Sequence, residues 1–242
     1  SNTRIGITTW KTPTKGSPVV FTSGLSGKGT ADNFTSDDSA YVVQLNESGE
    51  AQLVWTSTIT LTAGDHMTMT PASGVATQTV IDDGSYTSVV YTADDGYYFP
   101  ENYADSVTAT ANCGITVTRD NYTQITVSGT PTVATVEITL PAPAAKEKEA
   151  TPAAEFTATG SDTGTLTNVS AGMTYQIGDG EVQEISGTSV ILTGLSACTI
   201  TVAKPATDAN TRLDSDSQTI TVTKAETPEF TVTQPNVING KG

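Results

Sequence analysis

The chain offers few side chains that could carry out catalysis. Its one histidine, His66, stands in the stretch TAGDHMTMT, so any Ser-His-Asp or Cys-His arrangement would have to use it. Cys113 and Cys198 begin the apolar alternations NCGITV and ACTITV, positions typical of buried thiols that act as small hydrophobic side chains. Two cysteines are also too few for a disulfide scaffold. We therefore predict no enzyme, no catalytic residue and no cofactor.

Three aspartate-rich turns carry the oxygen ligands that calcium prefers. None of them matches the twelve-residue calcium loop, because the glycine and the closing glutamate are misplaced. Asp-Asp-Gly is also a turn signal in its own right. The sequence therefore predicts turns, and the candidates for calcium ligands are Asp82, Asp83, Asp94, Asp95, Asp214 and Asp216.

A lysine–asparagine isopeptide bond is a further covalent link that these residue types could form. Residues 51–145 contain no lysine, so no such bond can form within that block. Farther along the chain, Lys204 or Lys224 would have to reach Asn168 or Asn210. We expect no cross-link there.

The stretch TADDGYYFPENY, residues 92–103, places four aromatic residues in one short run. In a strand, Tyr97 and Phe99 share one face and Tyr98 takes the other. A small module with few aromatic residues needs its largest side chains inside, so we predict Tyr97 and Phe99 in the core. The aromatic residues that could instead face a ligand such as a glycan are Tyr98, Tyr103, Trp10 and Trp55.

The composition predicts an all-β, acidic protein. Threonine makes up roughly a fifth of the chain, far above ordinary usage, and its branched side chain suits half-exposed strands. The formal net charge of -15 opposes binding to nucleic acid or to an anionic membrane. The sequence contains no run of eighteen apolar residues, so it predicts no membrane-spanning helix. The abrupt opening SNTRIG suggests a piece of a longer chain, so the lack of a targeting signal is uninformative.

Period-2 apolar runs separated by turn residues predict tandem β modules. The stretch PAPAAKEKEATPAA reads as a linker, which trypsin should cut near Lys146 or Lys148. ATPAAEFTATG recurs as ETPEFTVTQ, and the two Thr-Pro pairs are 76 positions apart. The predicted divisions are a β module over 1–61, a second over 62–141, the linker over 142–154, a β-sandwich over 155–225 and the first strand of another repeat over 226–242.

Two blocks resemble modules of bacterial surface proteins. SVILTGLSACTITVAKP (189–205) and SDSQTITVTKAETP (215–228) resemble fibronectin type III and bacterial Ig-like modules. QTVIDDGSYTSVVYTADDGYYFP (78–100) resembles the Gly-Tyr-x-Phe repeats of the internalin B-repeat type. The continuation GITVTRDNYTQITVSGTPT (114–132) is similar to repeats of wall-anchored proteins of gut Gram-positive bacteria. The resemblance implies an extracellular location at the cell surface or cell wall.

These observations favour a non-catalytic structural segment of an extracellular bacterial surface protein, one that projects a functional domain or contributes to adhesion. The alternative is a binding module for a glycan or a host protein. Partners would then be glycans or surface proteins, with no nucleic acid and no membrane insertion, and we expect a monomer.

Overall fold

The computed structural model describes residues 5–7, 11–21, 31–70 and 76–223, and their regular structure is almost entirely β-strand. The exceptions are two short 3₁₀ helices, Ala31–Asn33 and Tyr103–Ser106. The all-β prediction is therefore confirmed. Among the described residues, no helix is long and apolar enough to cross a membrane. The chain forms two compact units, residues 1–146 and residues 147–242.

Unit 1, residues 1–146, contains the longer series of strands in the described part of the chain. In chain order they are β1 (Ile5–Ile7), β2 (Val19–Val20), β3 (Phe34–Ser36), β4 (Tyr41–Leu45), β5 (Ala51–Ala63), β6 (Met67–Thr70), β7 (Thr77–Ile81), β8 (Tyr86–Ala93), β9 (Tyr97–Tyr98), β10 (Thr108–Ala109), β11 (Ile115–Arg119), β12 (Gln124–Gly129), β13 (Thr135–Leu140) and β14 (Ala144–Ala145).

The thirteen-residue strand β5 links the parts of unit 1. Its first half pairs antiparallel with β2 and β4, and its second half pairs antiparallel with β7 and parallel with β13. Leu53, near the start of the strand, packs in a small cluster with Val43, whereas Ile59 and Leu61 belong to the main core. The boundary predicted between residues 61 and 62 thus falls inside a strand that both halves of unit 1 share.

The main core of unit 1 lies between the β5 sheet and a second sheet in the order β11-β12-β8-β6. Alternation along the strands places β-branched and aromatic side chains on the inner face, as in the pattern of β13, where Val136, Ile138 and Leu140 are buried. Phe99 is completely buried in this core, and its ring meets that of Tyr103 edge to face at 4.7 Å. The prediction that Phe99 belongs to the core is confirmed.

Unit 2, residues 147–242, is a two-sheet sandwich around its own core. Its described strands are β15 (Glu147–Lys148), β16 (Glu155–Ala158), β17 (Gly164–Thr167), β18 (Thr174–Ile177), β19 (Gln183–Glu184), β20 (Ser189–Leu192), β21 (Cys198–Ala203), β22 (Arg212–Leu213) and β23 (Gln218–Val222). One sheet has the strand order β16-β17-β20 and the other has β19-β18-β21-β23, and side chains including Leu166, Ile200 and Val202 fill the space between them.

The segment predicted as a linker, 142–154, contributes strands to both units. Strand β14 pairs with β9 inside unit 1, and a Cβ atom on Gly64 would come within 2.5 Å of the backbone nitrogen of Ala142. Strand β15 pairs with β22 inside unit 2. The boundary between the units, after Lys146, does lie within the predicted segment, but the backbone on both sides of it is hydrogen-bonded into folded structure.

Truncation of Phe99 should unfold unit 1 more readily. We expect Phe99→Ala to lower the free energy of unfolding of unit 1 by about 3–5 kcal/mol, because the substitution opens a large cavity in a fully packed core. Tyr98→Ala, at a half-buried position one residue away, should cost much less. Both tryptophans belong to residues 1–146, so urea unfolding followed by tryptophan fluorescence reports unit 1 directly. Equal losses for the two variants would contradict the core assignment.

Trypsin should cut slowly in the segment that the sequence predicts to be exposed. The backbone N–H of Lys146 donates to Gly96 O at 2.8 Å, and Lys148 lies in strand β15, so cleavage after either residue requires local unfolding. Timed digestion of the folded chain, with fragment masses read by mass spectrometry, measures both sites. Rapid release of two fragments from the native protein would show that this segment is an open linker.

Candidate functional site

The aspartate turns of unit 1 use their carboxylates within the fold. Asp82 Oδ1 accepts the backbone N–H of Gly16 at 2.6 Å, and Asp94 Oδ1 accepts the hydroxyl of Thr68 at 3.3 Å. Asp83, Asp94 and Asp95 are exposed, and Asp82 is half-buried. The carboxylates of Asp82 and Asp94 therefore connect their turns to distant segments of unit 1, and both Asp-Asp-Gly stretches form turns as the sequence predicts.

The aspartates of unit 2 are bound in the same way. Asp214 Oδ1 accepts the backbone N–H of Ala206 at 2.8 Å, and Asp216 forms an ion pair with Lys148. In the described ranges, no group of three or more histidine, cysteine or acidic side chains is arranged to hold a metal ion. The six calcium candidates are thus distributed over separate turns, and each turn has its own protein contacts.

Two of the aromatic residues that could have faced a ligand, Tyr103 and Trp55, are buried. Tyr103 is 3% exposed because it begins a 3₁₀ helix folded over Phe99, and its hydroxyl donates to Pro141 O at 2.5 Å. Burial raises the pKa of Tyr103 to about 12. Trp55 is 8% exposed, in the middle of β5. Trp10 lies outside the described residues.

The remaining candidate, Tyr98, is half-buried beside Tyr122, with 6.3 Å between the ring centroids. The guanidinium group of Arg119 lies 4.3 Å from the centroid of the Tyr122 ring, and Arg119 Nε donates to Phe99 O at 2.8 Å. This arginine therefore holds the end of the aromatic run in place. The contacts of Tyr98 are those of a strand residue at the edge of a core.

Tyr97 is half-buried, and the prediction that it belongs to the core is wrong. Its ring stacks on the exposed ring of His66, with centroids 3.9 Å apart, and its hydroxyl lies 3.0 Å from His66 Nε2. Strand β9 is only two residues long, so the alternation that would carry Tyr97 inward with Phe99 does not extend far enough. The single histidine thus packs on a tyrosine, at a backbone φ of 62°.

The cysteines are free thiols, with Cys113 buried in the core of unit 1 and Cys198 partly buried against the core of unit 2. Of the residues considered for an isopeptide bond, Asn168 donates through its side-chain amide to Ala153 O at 3.1 Å. Lys204 lies against a carboxylate rather than an amide, as described next. Lys224 lies outside the described residues.

The most extensive polar site in the described part of unit 2 surrounds Glu149, which sequence reasoning missed. Strand β15 runs parallel to β22, and the backbone N–H of Glu149 extends this pairing by donating to Leu213 O at 3.0 Å. This pairing directs the carboxylate, whose side chain is 4% exposed, toward the segment 204–212. There, Oε2 lies 2.8 Å from Lys204 Nζ.

The other oxygen of Glu149 is bound just as closely. Its Oε1 accepts the hydroxyl of Thr207 at 2.5 Å and the backbone N–H of the same residue at 3.2 Å. Arg212 Nε lies 2.8 Å from Oε1 as an ion pair, although its N–H does not point at the oxygen, while Arg212 Nη1 donates to Glu147 Oε2 at 3.3 Å. We call Glu149, Lys204, Thr207 and Arg212 the Glu149 cluster.

The Glu149 cluster keeps its carboxylate ionised. Contact with Lys204, followed by the hydrogen bonds from Thr207, lowers the pKa of Glu149 from 4.5 to about 2, against the opposite effect of burial. An ionised carboxylate is a poor electrophile, so the 2.8 Å approach of Lys204 favours an ion pair over a covalent amide. Because both oxygens are occupied by protein donors, the cluster serves the fold.

A second contact extends the pairing of this segment. The backbone N–H of Ala154 donates to Gln218 Oε1 at 2.6 Å, and Gln218 Nε2 donates back to Ala154 O at 2.8 Å.

A sequence signal for the attachment of residues 147–154 to unit 2 did exist. Lysine and glutamate precede Thr-Pro in both copies of the repeat, as KEATP at 148–152 and KAETP at 224–228, which indicates that the charged residues belong to the module.

The contribution of Glu149 to stability should depend on pH. Its folded pKa is depressed, so the stabilisation is complete above pH 4.5 and is lost as the pH falls toward about 2. Urea unfolding of the wild type and of Glu149→Gln, followed by far-UV circular dichroism, should show a difference in unit 2 that is largest near neutral pH and shrinks over this range. The other carboxylates titrate in both proteins, so they cancel in the difference. A difference that stayed constant down to pH 2 would contradict the ion pairing.

Comparison of the chain with protein-family models, with curated proteins and with solved structures gives no match. The function is therefore inferred from the geometry of the chain itself.

Proposed function

We propose that this chain is a structural segment of an extracellular bacterial surface protein, made of β modules that carry load and contribute to adhesion by the protein to which they belong. The observation that carries this proposal is the Glu149 cluster. The most extensive polar site in the described part of unit 2 has both carboxylate oxygens engaged by Lys204, Thr207 and Arg212. Its chemistry holds the beginning of a module in place and leaves no open position on the carboxylate for a substrate.

The composition and the repeat support the same proposal. A surface rich in threonine, with a net charge of -15, keeps extended molecules apart in solution. Each unit has its own hydrophobic core, as modules joined in series require. The recurrence of the Thr-Pro-(Ala-Ala)-Glu-Phe-Thr motif 76 positions on is the sequence mark of such a series.

The load-bearing role can be tested by stretching single molecules of the whole chain between its termini, with no ligand present. We expect two separate unfolding events, because the two units have independent cores. At about 3.5 Å per extended residue, unfolding of the described part of unit 2, residues 147–223, should release roughly 25 nm of chain, and unfolding of residues 5–146 in unit 1 should release about twice as much. Extension without a measurable resisting force would contradict the proposal.

The binding alternative has its own test. Tyr98 and Tyr122 are the aromatic pair at the edge of unit 1 that a glycan would contact. If the segment is purely structural, a glycan array probed with the labelled chain should show no binding. Specific binding that is lost in Tyr98→Ala and kept in Thr118→Ala, an exposed strand position in the same unit, would establish the binding module instead.

Antibodies against the chain should label intact source cells if the protein is extracellular.

A further inference from the structure

The beginning of unit 2 runs parallel to the segment that leads to its last described strand. Glu147 pairs with Arg212 and Lys148 with Leu213, and farther along Ala154 exchanges two hydrogen bonds with the side chain of Gln218. Residue numbers increase in the same direction on both sides. We call these two aligned segments, 147–154 and 212–218, the parallel seam.

The parallel seam differs from the other strand pairs described in unit 2, which are all antiparallel. The chain comes into the unit at one side of the seam, and β23, its last described strand, continues directly from the other side. Tension on the chain therefore pulls residues 147–154 toward the N-terminus and residues 212–218 toward the C-terminus. Because the two segments are parallel, this tension slides one along the other.

Sliding loads the contacts of the seam together, whereas peeling a hairpin from its open end breaks its hydrogen bonds one after another. The Glu149 cluster lies inside the seam and adds contacts across it. Lys204 and Thr207 belong to the chain leading into β22, so displacement of Glu149 along the seam must break its bonds to both, together with its ion pair to Arg212. The broken state would leave an ionised carboxylate without partners in a buried position.

From this geometry we propose that the parallel seam, closed by the Glu149 cluster, is the mechanical element that sets the force at which unit 2 unfolds. The inference extends the proposed structural function, but the mechanics of the seam can be measured whether or not the chain acts as a surface segment in the cell. It also gives the KEKEA stretch a role that its composition does not indicate, namely the attachment of a module at the point where load reaches it.

The decisive experiment stretches the full chain between its termini and compares Glu149→Gln with the wild type. The variant keeps the shape of the side chain but removes the charge that Lys204 and Arg212 compensate. We expect the unfolding rate of unit 2 at constant force to rise at least about tenfold. The event of unit 1, recognised by its longer released chain, should not change and serves as the internal control.

Two matched variants separate a mechanical role from general stability. Glu155→Gln removes the same charge at an exposed position outside the Glu149 cluster and should leave the unfolding force unchanged. Leu166→Ala weakens the fully buried core of unit 2 away from the seam. It should lower equilibrium stability in urea at least as much as Glu149→Gln, yet raise the unfolding rate under force by less.

The inference fails if Glu149→Gln unfolds at the wild-type force, or if Leu166→Ala has the same effect on force at a matched loss of equilibrium stability. Should Glu149→Gln lose the unit 2 event because the unit does not fold, Gln218→Ala provides the test. It removes the paired hydrogen bonds to Ala154 and leaves the ionic contacts of Glu149 in place, so we expect a smaller change in the same direction. Wild-type behaviour of Gln218→Ala would then overturn the inference.

Discussion

Alternation of apolar and polar side chains between a buried and a wet strand face is the constraint on which both units depend. With only 36% hydrophobic residues, the chain has enough apolar side chains to cover one face of each strand and few to spare. In β13 the exposed and buried positions alternate without exception, with threonine and glutamate outside and valine, isoleucine and leucine inside. A shift of one residue in register would expose the whole apolar set, so the register of the sheets follows from burial.

Strand β5 shows how this constraint joins elements that look separate in sequence. Its thirteen residues extend from the small cluster around Leu53 to the main core around Ile59, and it pairs with four different strands along its length. In the middle of β5, buried polar side chains have hydrogen-bond partners. Ser57, for example, donates its hydroxyl to Val133 O at 2.7 Å. A strand of this length makes residues before and after position 61 parts of one compact unit.

The Glu149 cluster is the point at which unit 2 departs from a simple apolar sandwich. A buried carboxylate is costly unless charge and hydrogen bonds compensate it, and here a lysine, an arginine and a threonine do so. Such a site is sensitive to register, because a shift of one residue in β15 would direct Glu149 away from its partners. The ionic contacts therefore specify how the segment 147–154 attaches, in addition to any stability they contribute.

The sequence alone determined the all-β class and the burial of Phe99, because period-2 patterns and composition are local properties. It did not determine that Tyr103 and Trp55 are buried. The burial of Tyr103 depends on a 3₁₀ helix, and that of Trp55 depends on the pairing of β5 with strands from both halves of unit 1. Nor did it show which strand the KEKEA stretch pairs with, although the lysine and glutamate before both Thr-Pro pairs indicate that these charges belong to the module. The partners of Glu149 lie far along the chain, with 58 residues separating it from Thr207, so only the tertiary structure could bring together the charges that a buried glutamate requires.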